Sequence, residues 1–272
     1  MPKIDVGSAN VHYDEFGAGP DLVWLSGGGA MGSVWHRWQV PFFEGTFRNL
    51  TFDNRGIGET ACEEPQPWAI ADFARDAAGL IEAVCDPPVF VVGKSMGAFI
   101  GLELALDRPD LVRACVVMGA AACGHRDWVG DYMRAEVALR HAGGTLDGAF
   151  ATTHYAIHLY PAKALGDPEL WPKIRAFLEE DGANAENERS LIPQWQACID
   201  FDVRDRLPSC GVPLSVLAFA EDVEAPPQYG REVADLVPGA TYHEFDGMGH
   251  GSIWGHTHET LNPYILELLS QE

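Results

Sequence analysis

A chain of 272 residues, 47% of them hydrophobic, is long enough to bury a large core, as one α/β domain or as a core carrying an inserted subdomain. Forty acidic residues against 18 basic ones leave a formal charge of -22, which repels nucleic-acid backbones and anionic membranes, and no basic run offsets it. The partner class that remains is a small-molecule substrate, with homo-oligomer formation left open.

The six cysteines, Cys62, Cys85, Cys115, Cys123, Cys198 and Cys210, are scattered without a C-x-x-C pair, the pattern of free thiols in a reducing compartment. At the start, MPKIDVGSANVHYDEFG alternates like a strand hairpin and has no apolar leader segment, so a cytoplasmic protein is expected. DLVWLSGGG reads as a buried strand ending in glycines, NLTFDNRGIGET as a second strand with its turn, and IADFARDAAGLIEAV as a helix. VFVVGKSMGAFIGLELAL is strand, polar turn and helix in succession, and RACVVMGAA supplies another buried strand. No run approaches the roughly 18 apolar residues that a membrane span needs. Strands alternating with helices imply an α/β fold with a mostly parallel central sheet flanked by helices.

From about Cys123 to Leu207 that alternation stops. Helix-like segments around DWVGDYMRAEVALRH, PELWPKIRAFLEED and ENERSLIPQWQACID take over, rich in Trp, Tyr and His. VPLSVLAFAED resumes as a strand, Ala240 to Phe245 forms a short one, and THETLNPYILELLSQE closes as an amphipathic helix with Leu261, Ile265 and Leu268 on one side. The expected organisation is a core of residues 1–124 and 208–272, interrupted by a helical insertion over 125–207.

The polar turn Gly93-Lys94-Ser95-Met96-Gly97 has the G-x-S-x-G spacing. Small residues there let a strand reverse sharply into a helix and lift the Ser95 hydroxyl above the sheet, at the positive end of that helix. A serine that merely caps the helix would satisfy the same pattern. A nucleophile also needs a histidine base and a carboxylate to orient it. Of ten histidines, His250 has the best setting, in the glycine-rich HEFDGMGHGSIW between the short strand and the last helix. Asp222, at the end of PLSVLAFAED, is preferred as the carboxylate over Glu221 and Glu224, with Asp127 after RACVVMGAA as the alternative.

Five stretches, SGGG, FDNRGIGET, GKSMGA, FDVRDRLP ahead of VPLSVLAFAEDVEAPP, and GMGH, fall in the order of the α/β-hydrolase fold family, which the chain resembles over residues 24 to 250. The resemblance implies that 125–207 is a cap over the active site and that Ser95, Asp222 and His250 form a catalytic triad. It implies an oxyanion hole from the backbone N–H of Met96 and of Gly28, with Gly29 as the fallback. Ser26-Gly27 departs from the His-Gly that many relatives carry. The glycine run is similar to the GGGX loop that admits bulky tertiary alcohols in some esterases. Asp53 and Arg55 resemble the family's D-x-R-G turn, whose role is structural, and a serine at the elbow disfavours the haloalkane dehalogenase and epoxide hydrolase branches.

The leading reading is a serine hydrolase, an esterase or lactonase that cleaves a carboxylic ester or lactone through an acyl-enzyme. Behind it stand thioester cleavage, carbon–carbon bond hydrolysis of a diketone, a cyclase or lyase on the same fold, and a ligand-binding receptor. Neither a cofactor nor a metal is called for, since His256 and His258, although close to His250, belong at the start or on the surface of the last helix. Met31, Trp128, Tyr132, His154, Tyr155, His158 and Trp195 are the candidates for lining the substrate pocket. Lys94, at the variable position of the elbow, is expected to be structural and paired with a carboxylate.

Overall fold

Successive residues of the inner strands belong to two different apolar layers. Val23 and Leu25 pack in one layer and Leu22 and Trp24 in the other; Val89 and Val91 are separated from Phe90 and Val92, and Cys115 and Val117 from Ala114, Val116 and Met118, in the same way. This is the period-two alternation of a strand with both faces covered, and it explains runs with no polar position. The computed structural model describes residues 2–64, 66–124, 126–181 and 188–272.

The chain begins with β1 (Lys3–Asp5), β2 (Asn10–Phe16) and β3 (Asp21–Leu25), passes a single 3-10 turn at Gly32–Trp35 and the short α1 (Val40–Phe43), and continues through β4 (Arg48–Phe52), α2 (Ile70–Val84), β5 (Val89–Lys94), α3 (Met96–Asp107) and β6 (Val112–Met118). Five helices follow before the next strand: α4 (Asp127–His141), α5 (Gly148–Leu159), α6 (Ala162–Leu165), α7 (Trp171–Asp181) and α8 (Glu188–Asp200). A second 3-10 turn at Leu207–Ser209 leads into β7 (Leu214–Phe219), α9 (Pro227–Leu236), β8 (Thr241–Phe245) and α10 (His258–Leu269). The eight strands form one sheet in the order β1-β2-β4-β3-β5-β6-β7-β8. The β1–β2 and β2–β4 pairs are antiparallel, and the five pairs from β4–β3 to β7–β8 are parallel.

α2 and α4 begin and end where the sequence pattern put them. α5, α6 and α9 had no counterpart in that reading, and Glu186 and Asn187, which open the third expected helix of the insertion, lie outside the described residues. All six cysteines are free. No described helix is long and apolar enough to cross a membrane. The parallel strands share a direction, so the loops after β3, β4, β5, β6, β7 and β8 all open on one rim, where sheets of this kind place their sites.

Candidate active site

The turn from β5 to α3 holds Ser95 at φ 58° and ψ -123°, a backbone state that a non-glycine residue seldom adopts. Ser95 stands at the N-cap of α3, yet its side chain makes no capping bond. The helix-capping reading of this serine therefore fails. Gly97 lies against the Leu25 carbonyl so tightly that a side chain there would meet backbone, which lets α3 pack beside β3.

Across the rim, Asp222 follows β7 and His250 follows β8. His250 Nδ1 lies 2.7 Å from Asp222 Oδ2, and both residues are buried. The other carboxylate oxygen of Asp222 accepts the backbone N–H groups of Glu224 at 2.8 Å and Ala225 at 2.7 Å. Burial pushes this carboxyl up, but His250 and the Ala225 N–H outweigh it and hold the group below the ordinary aspartate value. Gly119, at the end of β6, leaves room for the pair: with φ +58° it occupies the left-handed region, and a Cβ there would stand 2.9 Å from His250 Cε1. Gly249 and Gly251 let the histidine loop press on the end of α5, where the Gly251 N–H donates to the Leu159 carbonyl at 2.6 Å.

The alternative carboxylate, Asp127, is not near His250. It opens α4 and meets the Tyr229 hydroxyl at 3.4 Å. Glu224, set aside when Asp222 was preferred, turns back into the site, with Oε2 3.3 Å from His250 Nε2. That approach is not aligned as a hydrogen bond, and Nε2 has no hydrogen-bond partner among the described residues. His250 thus carries a carboxylate near each ring nitrogen, and it borders the same cavity as Ser95.

The two backbone N–H groups expected to hold an oxyanion have no acceptor among the described residues. Met96 is the first residue of α3, where a helix leaves its N–H groups unused, and Gly28 lies in the loop after β3. The Gly29 N–H, by contrast, donates to Gln194 Oε1 at 2.8 Å, which removes the fallback donor. Ser26, standing where relatives carry histidine, accepts the Trp35 indole N–H at 3.0 Å. Asp53 receives the Gly32 N–H at 2.8 Å and the Glu59 N–H at 3.1 Å, and Arg55 pairs with Asp76 at 2.7 Å, so both tie loops together.

Lys94 departs from expectation. It is 3% exposed, and among the described residues it has no hydrogen bond and no ion pair; its ammonium lies 4.5 Å from the centre of the Trp254 ring. Burial pushes its pKa down to about 8, against the opposing pull of Glu224 and Asp222.

The cavity is bounded by the glycine loop after β3, the elbow, the His250 loop and the inserted helices. Of the expected lining residues, Tyr132, Tyr155 and Trp195 border it. Met31, Trp128, His154 and His158 do not, and each has a local reason. Ala30 takes the place on the wall next to Met31. Trp128 is 53% exposed on the outer side of α4, stacked on Tyr132. His158 is buried behind Tyr132, with ring centres 4.3 Å apart, and burial lowers its pKa. His154 Nε2 lies 2.5 Å from Glu136 Oε1, which also accepts the Tyr132 hydroxyl at 3.0 Å. Arg140 pairs with Glu136, donates to the Tyr155 hydroxyl at 3.2 Å and lies 4.8 Å from the Trp195 ring centre. One buried charged cluster therefore holds all three aromatic walls from behind. His256 bonds to Ser252 and His258 packs on Trp38, so neither converges with His250.

Glu224 and Gln194 carried no usable sequence signal as site residues. Glu224 competes with two other acids within four residues, and Gln194 is one amide on a helix whose docking partners lie more than a hundred positions away.

The profile of the alpha/beta hydrolase fold family matches residues 20–257. The chain is 33% identical over 256 residues to a Mycobacterium tuberculosis protein named "Putative non-heme bromoperoxidase BpoC", covering 89% of this chain and 90% of the relative. The crystal structure of that name from the same organism superposes with a TM-score of 0.85 at 30% identity and covers 96% of each chain. A Variovorax paradoxus protein named "Putative carbamate hydrolase RutD" is 28% identical, over 88% of this chain and 89% of its own. An enol-lactonase from Burkholderia xenovorans LB400 shares the fold at a TM-score of 0.86 and 23% identity, covering 99% of this chain and all of its own. The chain belongs to the α/β-hydrolase family.

Proposed function

We propose that this protein is a serine hydrolase that cleaves a carboxylic ester or lactone through an acyl-enzyme. The observation that carries the reading is Ser95 itself, held in a strained conformation with its hydroxyl released from capping, on the same rim as the His250–Asp222 pair. In this mechanism His250 Nε2 takes the Ser95 proton as Oγ attacks the carbonyl carbon, and Asp222 holds the proton on Nδ1. The oxyanion collects on the Met96 and Gly28 N–H groups at the positive end of α3. His250 then protonates the leaving alcohol, and water repeats the sequence on the acyl-enzyme. The carbamate hydrolase name among the relatives is in keeping with attack at an acyl carbon.

Substrate makes the Ser95–His250 contact in this reading, since apo sites often leave that hydrogen bond open. The test is intact-mass measurement after exposure to a fluorophosphonate. A single adduct that vanishes in Ser95→Ala and in His250→Ala supports the nucleophile and its base; a folded wild type that takes up no adduct would sink the acyl-enzyme. Glu224, beside Nε2, favours one second reading, a lyase or cyclase in which His250 and Glu224 move protons without acylation. Product formed in water enriched in heavy oxygen separates the two, because only hydrolysis incorporates the label.

A further inference from the structure

Lys94 presents a physical problem that the hydrolase mechanism does not use. A buried ammonium loses its hydration and normally recovers the loss from a paired carboxylate. Here the carboxylate that could pair with it, Glu224, stands at His250, and among the described residues no acidic oxygen comes within ion-pair distance of Lys94 and the Trp254 face is its one close partner. An aromatic face returns only part of what water gave. Lys94 also borders the cavity, and it is the one lysine or arginine among the described residues that does.

Its place relative to the chemistry is fixed by the chain. Lys94 precedes Ser95, so the two Cα atoms are ~3.8 Å apart, and both residues border the same cavity. The rest of the wall is largely apolar and aromatic: Val129, Tyr132, Met133, Phe177, Leu178 and Trp195. A single point charge in such a wall matches one carboxylate, whereas a phosphate would need further donors.

We propose that Lys94 receives a carboxylate of the substrate, so that the ester or lactone cleaved at Ser95 carries a free carboxylate a few bonds from the scissile carbonyl. The assignment rests on the hydrolase reading for the identity of the scissile bond, and on the cavity geometry alone for the anion. Glu224 contributes to the same selection. Its carboxylate lies 3.3 Å from His250 Nε2, so an anionic substrate group is repelled from that nitrogen, and Lys94 is the cation left in the cavity wall to receive it.

Two matched esters test the idea: para-nitrophenyl hemiglutarate, and para-nitrophenyl valerate, which has the same chain length without the charge. The expected result is that wild type prefers the charged ester in kcat/KM by at least about tenfold, and that in Lys94→Met the charged-to-neutral ratio falls on the order of 100-fold. Methionine keeps the length and apolar stem of lysine, so the variant should fold, and its thermal unfolding checks that it has. A ratio that Lys94→Met leaves unmoved overturns the proposal and returns Lys94 to a structural role.

Binding of glutarate itself to Ser95→Ala, followed by the fluorescence of Trp254 and its neighbours, separates the subsite from the chemistry. Glutarate affinity that falls at least tenfold when Lys94→Met is added supports the subsite even if no ester is cleaved, in which case the hydrolase reading is what fails. Esters cleaved without regard to charge, together with glutarate binding indifferent to Lys94, remove the subsite and leave the hydrolase reading standing.

Discussion

The floor and the roof of this cavity are built by different physics. On the floor, backbone does the positioning: Ser95 by a strained turn that Gly93 and Gly97 allow to close, Asp222 and His250 by the ends of adjacent parallel strands, with Gly119 leaving room for the pair. In the roof, side chains do it, through a charged cluster around Glu136 that grips Tyr132, Tyr155 and Trp195. A sheet rim can keep one constellation while the helices above it are exchanged, so the comparison separates where reaction class is written from where substrate choice is written.

The largest expected break is on the floor. Asp222→Asn keeps an oxygen to accept the Glu224 and Ala225 N–H groups but leaves His250 Nδ1 without its acceptor, and kcat should fall about 10,000-fold with little change in KM. In the roof, Glu136→Ala strands Arg140 in a buried site. It should cost about 3–5 kcal/mol in chemical denaturation and raise KM more than it lowers kcat.

Lys94 sits between the two regions and should trade stability for function. Its folded pKa of about 8 lies below the ordinary lysine value of 10.5, so the unfolded chain binds more protons between those limits. Wild-type stability should therefore rise, relative to Lys94→Met, by about 3 kcal/mol between pH 8 and pH 10.5; parallel pH profiles for the two proteins would contradict the burial of a charged ammonium. Gly119→Ala pushes a methyl toward His250 and should lower kcat about 100-fold while the protein stays folded by circular dichroism. At the small end, Asp131→Asn removes an exposed ion pair to Arg134 on the outer side of α4 and should leave both Tm and kinetics where they were.

How much of this was legible follows the same division. The inner strands β3, β5, β6 and β7 and the helices α2 and α4 were readable because their apolar patterns run over five to fifteen residues. The juxtaposition of Asp222 with His250 was readable because each follows a strand and parallel strands end on one rim. α5 was not, since Gly148, a Thr152–Thr153 pair and alternating His and Ala give it no clear apolar stripe. α9 hides behind Pro226-Pro227, although proline at the first turn is compatible with a helix. Pocket residues fared worst: Trp128, His154 and His158 are aromatic and carried by the inserted helices like Tyr132, and only the rotation of α4 and α5 decides which face the cavity. The expected pairing of Lys94 with a carboxylate was not met because it depends on where Glu224 turns, and that turn is set by backbone bonds to Asp222.

Gln194 has one more consequence. Its amide is fully buried and spans two core loops, accepting the Gly29 N–H and donating to the Arg55 carbonyl at 3.2 Å. Moving α8 away from the core would break both of those bonds, so the amide ties this helix to the two loops. Trp195, the next residue along α8, borders the cavity, so the amide that pins the helix to the core also fixes where this wall stands relative to the elbow.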